Sequence, residues 1–334
     1  MTAANTSASL LEGDAGRPLP WYLRAFPLVF ALAYAAILVS LPIDAFLDRA
    51  NYLVYAQYSS LILLRYSIDG LSALLANEPL WLLLNINLSR YLYPDQVVRA
   101  FIFVPAFLVA WQLTRRNPRH AIWMVLFLLS PQVVKNHIIH LRQGVALSVF
   151  VLGYFARPTW LRIALMAMAG FIHSSFLVVD MIGVAVWLSD ALRLAPRARA
   201  AALIICFTII GGLIGVIAGS LGARQAITFA DANLDISGLG FLFWGAILVL
   251  FASSGAAFLR QNMFGFTILA FYLVTYFLTP LAGRIFESGM FVVFFAGLDL
   301  PGYRRPLFLW AFAGFTLAMY ATRLGQPWLG WGVG

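Results

Sequence analysis

The stretch KNHIIHLRQG, residues 135–144, runs directly into the apolar segment VALSVFVLGYF, residues 145–155. The first part carries amine, imidazole, guanidinium and amide side chains, and the second part has the composition of a membrane helix. Ionisable groups at membrane depth are rare and usually functional. The stretch therefore predicts a helical membrane fold and also indicates where a functional site is to be sought.

The composition of the whole chain points the same way. Of 334 residues, 62% are hydrophobic and only 10% are charged, and the mean hydropathy is +0.88. Too few polar side chains remain to cover a water-soluble globule. Apolar runs of the length needed to cross a bilayer cover most of the chain, so the predicted fold class is all-α, a polytopic membrane bundle of about ten or eleven transmembrane helices.

We predict one integral-membrane domain over residues 1–334. Residues 1–20 lack the apolar centre of a signal peptide and form a cytosolic tail in this prediction. Residues 42–95 are the least hydrophobic segment and are predicted to lie outside as amphipathic helices. The spans are expected at about 22–41, 97–113, 121–135, 143–156, 160–188 with a break at 171–175, 201–220, 238–257, 264–281, 285–301 and 307–323.

Charge asymmetry gives the orientation of these spans. With the N-terminus inside, the inner breaks hold thirteen of the 22 basic residues and four acidic residues, whereas the outer side holds nine basic and eight acidic residues. Arginine and lysine are enriched on the cytoplasmic side of membrane proteins. The positive charge of the chain is thus explained by topology, and we expect no nucleic acid as a partner.

Three basic side chains are predicted at similar depth on the outer side. Counting 1.5 Å per helical residue from the inner boundary puts Arg142 and His173 roughly 22 Å up and Arg284 roughly 27 Å up. An arginine near a helix end can be a snorkelling anchor, and a histidine can be a satisfied core residue. His173 lies at a predicted helix break, where irregular backbone usually lines a cavity.

Other polar residues leave alternatives open. Lys135 is an interfacial anchor or a ligand, and the spacing of His137 and His140 suits a metal only if further ligands exist, which the sequence does not supply. Asp180 lies in mid-span and is either paired within the bundle or part of a proton relay, and pairing is the expected role. Cys206 is the only cysteine and forms no intramolecular disulfide. We predict no metal and no cofactor.

Arginines at the outer boundary suit an anionic, lipid-borne ligand, because guanidinium groups bind phosphate oxygens bidentately. A neutral imidazole beside them can take a proton from an attacking hydroxyl. No nucleotide-binding glycine pattern is present, so a donor already attached to lipid fits better than a nucleotide. Together these features predict phosphate-anchored group transfer.

At this point the chain resembles the EpsG-like family of bacterial exopolysaccharide polymerases, which are related in role to the Wzy O-antigen polymerases. Gly283-Arg284-Ile285 is similar to the family's arginine-bearing start of a late helix, although Phe286-Glu287 replaces the more usual Tyr-Phe after it. Four further stretches carry the resemblance in the family's order: DRANY at 48–52, NEPLWLLLN at 77–85, LRQGVA at 141–146 and FIHSSF at 171–176.

The resemblance implies a membrane glycosyltransferase of the bacterial inner membrane with its active site facing the periplasm. It would transfer a glycan from undecaprenyl diphosphate onto a lipid-linked repeat unit by inverting chemistry, with membrane lipid and a chain-length co-polymerase as further partners. Carried over to this chain, the catalytic candidates are His173, Arg142 and Arg284. The substrate-binding candidates are Lys135, His137, His140, Gln143, Glu78, Glu287 and Tyr52.

Three other functions stay open on the sequence. A transporter or flippase would need polar residues along a path through the membrane and commonly an internal repeat, and neither is evident. A polysaccharide-modifying acyltransferase would also use a histidine but needs an acyl donor. A scaffold of a synthase complex needs no catalytic residues. The sugar, the linkage, the polymer type and the oligomeric state are not encoded in a readable pattern.

Overall fold

A computed structural model describes residues 21–116, 118–221 and 238–333. The predicted cytosolic tail therefore lies outside the described residues. Within these ranges the chain is helical, and the only β-type pairing is an isolated bridge between Phe46 and Gly332. The all-α prediction is confirmed for this part of the chain.

The described ranges contain sixteen α-helices and two short 3₁₀ turns, Pro118–His120 and Pro327–Gly330. We number the α-helices in chain order as α1 Trp21–Ser40, α2 Arg49–Ile68, α3 Leu71–Ala76, α4 Pro79–Leu88, α5 Pro94–Arg116, α6 Ala121–Leu128, α7 Pro131–Ile138, α8 Leu141–Tyr154, α9 Thr159–Ile172, α10 Ser175–Asp190, α11 Pro196–Ser220, α12 Leu239–Ala252, α13 Ala256–Gln261, α14 Met263–Thr275, α15 Ala282–Leu298 and α16 Arg304–Ala321.

Prolines explain several of the helix starts. Pro79, Pro131 and Pro196 each occupy the beginning of a helix, where the missing N–H has no intrahelical acceptor to lose and the fixed φ suits the first turn. These starts divide the apolar runs into shorter pieces than hydropathy alone predicts. Their effect is to place helix ends, with their polar backbone groups, between apolar segments.

Among the described helices, three are long and apolar enough to cross a membrane: Leu23–Ser40, Pro94–Arg116 and Pro196–Leu213. A fourth candidate is the pair α6 and α7, which is bent by 58° at its break and is either a broken span or a re-entrant loop. Further apolar helices of 10–17 residues include α4, α8, α9, α12 and α14. The fold thus has several helices compatible with a membrane, and the expected number of ten or eleven spans stays a prediction.

The chain divides into two compact units. The first unit runs to Ser174 and also includes the residues from Thr316 onward, and the second unit is Ser175–Phe315. In the first unit α5 packs against α1 and α8, and α4 packs against α2 and α9. In the second unit α14 packs against α11 and α15, and Gly289 of α15 lies so close to Ile268 that an added Cβ would come within 2.9 Å of its Cδ1.

Candidate functional site

Glu78 occupies an unusual backbone position at the start of α4. It is a non-glycine residue in the left-handed region, with φ 61° and ψ 56°, and its side chain makes no capping hydrogen bond. Glu78 is also almost completely buried, at 4% exposure. Strained backbone of this kind persists only where the surroundings enforce it, and it clusters at functional sites.

Two other polar side chains converge on the Glu78 carboxylate. Its Oε1 accepts a hydrogen bond from Nδ1 of His173 at 2.6 Å and another from the backbone N–H of Ser174 at 3.3 Å. Its Oε2 pairs with Nη1 of Arg142. We call Glu78, Arg142, His173 and the Ser174 amide the Glu78 cluster. Its members come from the starts of α4 and α8 and from the end of α9, and all belong to the first unit.

The backbone around His173 explains how the imidazole reaches Glu78. His173 ends α9 with an extended conformation, φ −148° and ψ 119°, and its N–H still bonds to the Ala169 carbonyl. The break turns both the ring and the following amide toward the carboxylate. Because an ionised carboxylate only accepts, Nδ1 carries the proton and a neutral ring keeps its lone pair on Nε2.

Arg142 is held by more than its ion pair. Its guanidinium also hydrogen-bonds Tyr52 and lies over the Tyr55 ring, 5.4 Å from the centroid. Its side chain is 17% exposed, and Nε has no hydrogen-bond partner among the described residues. The Nε atom is itself buried from solvent, so it is an unsatisfied donor inside the protein and not one that is open to a ligand from outside.

The charge state of Glu78 follows from its neighbours. Burial alone would raise the pKa of the carboxyl, but Arg142, His173 and the Ser174 amide together hold the pKa below its usual range. Glu78 is thus ionised at neutral pH. It balances the charge of Arg142 and orients the imidazole at the same time.

Aromatic side chains surround the cluster on the side of α2 and α4. The Trp81 ring makes edge contacts with Tyr52 at 5.7 Å and Tyr55 at 6.1 Å between centroids, and it packs on Phe101 at 4.5 Å. Tyr52 and Trp81 are buried. This wall keeps water from the ion pair, which strengthens electrostatic interactions within the cluster.

Gly144 fixes the distance between α8 and α7, two residues after Arg142. A Cβ at this position would collide with the backbone oxygen of Asn136 and would lie 3.2 Å from Nδ1 of His137. Only a residue without a side chain allows α8 to begin at this distance from α7. The start of α8, which carries Arg142, is therefore set by close backbone packing.

The remaining predicted residues of the first unit lie on α7 and at the start of α8. Gln143 is buried, and Lys135 and His140 are partly exposed. His137 is fully buried against the edge of Tyr34, with no hydrogen-bond partner for either ring nitrogen among the described residues. Asn136, beside it, is likewise buried without a side-chain partner there.

Arg284 and Glu287 belong to the second unit, on the first turns of α15. Both are partly exposed. The Arg284 carbonyl accepts a hydrogen bond at 3.0 Å from Ser288, whose hydroxyl also contacts that of Ser175 at 2.7 Å. Glu287 interacts electrostatically with Tyr272. The second unit thus holds its own polar side chains at the start of α15.

Sequence reasoning missed two features of the first unit. Arg49 is fully buried, where it donates to the carbonyls of Ile138 at 2.9 Å and Pro42 at 3.1 Å and lies over Phe46. The Ser174 amide was also missed, because a backbone donor leaves no compositional signal. Its only sequence cue is its position after a histidine that breaks an apolar run.

Two other sequence expectations concern single groups. The predicted partner of Asp180 is not found among the described residues, where both of its buried carboxylate oxygens have no hydrogen bond. In the same part of the chain, no three histidine, cysteine, aspartate or glutamate side chains are grouped as metal ligands. Neither observation changes the Glu78 cluster.

Comparisons of the chain with protein-family models, curated proteins and solved structures found no match.

Proposed function

We propose that the protein is a membrane glycosyltransferase that lengthens a glycan carried on a polyprenyl diphosphate. The observation that supports it best is the Glu78 cluster, in which one buried carboxylate orients a histidine through Nδ1 and also holds an arginine. A carboxylate and imidazole in this relation are a recurring device for activating hydroxyl groups. An adjacent guanidinium suits a phosphate leaving group.

In the proposed reaction, Nε2 of His173 takes the proton from a hydroxyl of the acceptor repeat unit. The hydroxyl oxygen attacks the anomeric carbon of the donor glycan from the face opposite its diphosphate. The bond from the anomeric carbon to the diphosphate oxygen breaks, the anomeric configuration inverts, and the polyprenyl diphosphate leaves with the bonding electrons. Glu78 stabilises the imidazolium that forms, as the carboxylate of a catalytic triad does.

Arg142 has two roles in this proposal. Its pairing with Glu78 keeps the carboxylate ionised, and its partly exposed guanidinium is the positive group that we assign to the diphosphate. Charge-assisted bonds from arginine to phosphate are stronger than neutral hydrogen bonds. Arg284 and Glu287, on α15 of the second unit, stay candidate substrate-binding residues on the resemblance alone.

We further propose that the protein spans the bacterial inner membrane about ten times with the Glu78 cluster toward the periplasm. The apolar helices and the enrichment of arginine in alternate breaks support this topology. Donor and acceptor lipids are available at that face without nucleotide. The EpsG-like and Wzy-type resemblance supports the same assignment.

The test uses purified protein in detergent or nanodiscs with a lipid-linked repeat unit as the only substrate. The expected product is a ladder of longer lipid-linked glycans, formed without nucleotide sugar and with chelator present. His173→Ala and Glu78→Gln should each slow the ladder by about 10²–10⁴-fold, the range for loss of general-base catalysis. Arg142→Gln should also raise the substrate concentration needed for half-maximal rate.

Matched controls come from two exposed residues at and just beyond the end of α4, the helix that begins after Glu78. Arg90→Gln removes a positive charge and Asn87→Ala removes an amide on α4, and both side chains are exposed. They should leave the ladder unchanged. A full ladder from His173→Ala, or loss of the ladder in the controls as well, would overturn the assignment. Transport of the lipid without elongation would favour the flippase alternative, and transfer from an acyl donor would favour the acyltransferase.

A further inference from the structure

The second unit contains a cavity of about 540 Å³ where α10 ends and α11 begins. Its lining combines polar and basic side chains with apolar ones: Ser189, Asp190, Arg193, Leu194, Ala195, Pro196, Arg199 and Arg260. This size lies within the range of small-molecule sites in proteins. None of these residues belongs to the Glu78 cluster, and the proposed glycosyl transfer does not use them.

Arg199 forms a rigid wall of the cavity. It is 6% exposed, its Nε donates to the Ser189 hydroxyl at 2.6 Å, and its two terminal nitrogens bond to Asp190 and to the Val186 carbonyl. All of its nitrogen atoms thus have partners. The Asp190 carboxylate in turn faces a guanidinium that compensates its charge.

Two arginines of the cavity are not compensated in this way. Arg193 and Arg260 are exposed, and neither guanidinium has a hydrogen bond or ion pair with any described residue. Arg193 has a backbone in the left-handed region, with φ 50°, and this conformation costs free energy for any residue that carries a Cβ. The cavity therefore presents two positive charges beyond those its own carboxylate neutralises.

Exposed apolar side chains accompany the cavity. Leu194 lines it and is 44% exposed, and Leu192, Leu188 and Trp187, close to it in the chain, are 63%, 55% and 62% exposed. A free phosphate ion would gain nothing from these side chains. A phosphate attached to acyl chains would contact the guanidinium groups while its chains met the exposed apolar side chains.

We propose that this cavity binds the phosphate of an anionic phospholipid headgroup, with Arg193 and Arg260 as its ligands and Arg199 as the supporting wall. Arginine side chains bind phosphate oxygens through paired N–H donors. Basic residues beside an anionic leaflet are attracted to its headgroups. The charge asymmetry of the sequence also predicts that the segment between α10 and α11 lies on the inner side of the membrane. Basic residues on that side lie beside the anionic headgroups.

Native mass spectrometry of the intact protein in an uncharged detergent tests the proposal. The protein is titrated with phosphatidylglycerol, with phosphatidylcholine and with inorganic phosphate. Phosphatidylglycerol should stay bound at lower concentration than the other two. The double variant Arg193→Gln/Arg260→Gln should weaken phosphatidylglycerol binding by about tenfold or more, since tenfold corresponds to about 1.4 kcal/mol.

The matched control is Arg197→Gln/Arg157→Gln, which removes the same charge from two exposed arginines that do not line the cavity. It should bind phosphatidylglycerol like the unmodified protein. Thermal unfolding in lipid-free detergent shows whether each variant is folded. Equal binding by both double variants, or equal loss in both, would overturn the site. Binding of inorganic phosphate as tight as that of the lipid would overturn the lipid assignment.

Discussion

Arg142 is partly buried and Arg199 is buried, and each is paired with a carboxylate, but their partners lie at different distances along the chain. Arg199 bonds to Ser189, Asp190 and Val186, all within 13 residues. Arg142 bonds to Glu78, 64 residues away, whose other oxygen binds His173. Arg199 stabilises one turn between two helices. Arg142 connects three helix ends, and its Nε has no hydrogen bond with a described residue. The Glu78 cluster therefore depends on the packing of several helices, whereas the contacts of Arg199 depend on one turn.

The largest expected effect comes from removing the shared carboxylate. Glu78→Ala leaves a buried guanidinium and imidazole without their acceptor, and breaking a buried pair typically costs about 3–5 kcal/mol. We expect a strongly lowered thermal midpoint in detergent. Asp69→Ala, at an exposed carboxylate in the same region, is the control and should change little. Equal midpoints for the two variants would mean that the Glu78 cluster contributes no stability.

A smaller loss is expected at the local cluster. Arg199→Met keeps much of the buried aliphatic stem but removes three side-chain hydrogen bonds, and we expect a cost of about 1–3 kcal/mol. Its partners lie in the adjoining helix and turn, so part of the stabilisation is replaced by water. Chemical unfolding of both variants gives the two free energies of unfolding. If Arg199→Met lost more stability than Glu78→Ala, the expectation that the long-range contacts of Arg142 contribute more than the local contacts of Arg199 would be wrong.

Asp180 provides a buried acid without the partner that Glu78 has. Because neither carboxylate oxygen has a hydrogen bond among the described residues, Asp180→Leu should stabilise the protein by about 1–2 kcal/mol. Asp180→Asn keeps a polar group of the same shape and should gain less. A clear loss of stability in Asp180→Leu would show that the carboxylate has a role that its surroundings do not reveal.

The pH dependence of stability should distinguish Glu78 from exposed acids. Its pKa in the folded protein lies below the usual value near 4.3 because of Arg142 and His173. Its stabilisation is therefore fully present above about pH 4.3 and is lost as the pH falls through the lower folded value. Unfolding midpoints of Glu78→Gln should lack this part of the acid dependence. Parallel curves for the two proteins below pH 4.3 would contradict it.

The smallest effect is expected at Asp190. Its side chain is about half exposed, and exposed ion pairs contribute about 0–1 kcal/mol. Asp190→Asn should therefore leave the thermal midpoint almost unchanged at moderate salt. A loss approaching that of Arg199→Met would show that the carboxylate, and not the serine and carbonyl, holds the arginine.

The helical fold and part of the site could be predicted from the sequence, because hydropathy and the rarity of ionisable residues in apolar runs carry that information. Arg142, His173 and Glu78 were identified as candidates, and the helix break at His173 was predicted. Their mutual contact was not, since residues 78, 142 and 173 meet only through tertiary packing. Glu78 is predicted from the sequence as a substrate-binding residue; in the structure it binds the other two candidates, and its contact with substrate stays a prediction.

The burial of Arg49 shows where sequence reasoning stops. In the sequence it is one of several charges in a polar segment, and its contact with the carbonyl of Ile138 depends on a helix end 89 residues away. The lengths of the helices were also less predictable than their existence. Pro79 and Pro131 begin new helices within apolar stretches, and a hydropathy average does not detect such starts.

Gly144 lets α7 and α8 pack with no side chain between them, and the position of the Arg142 guanidinium depends on this close packing. Alanine at this position would push the start of α8 away from α7 by the width of a methyl group, without altering a single charge. The guanidinium would then shift through a substitution that leaves every charged side chain chemically unchanged. An alanine at position 144 would thus separate the effect of where Arg142 lies from the effect of its charge.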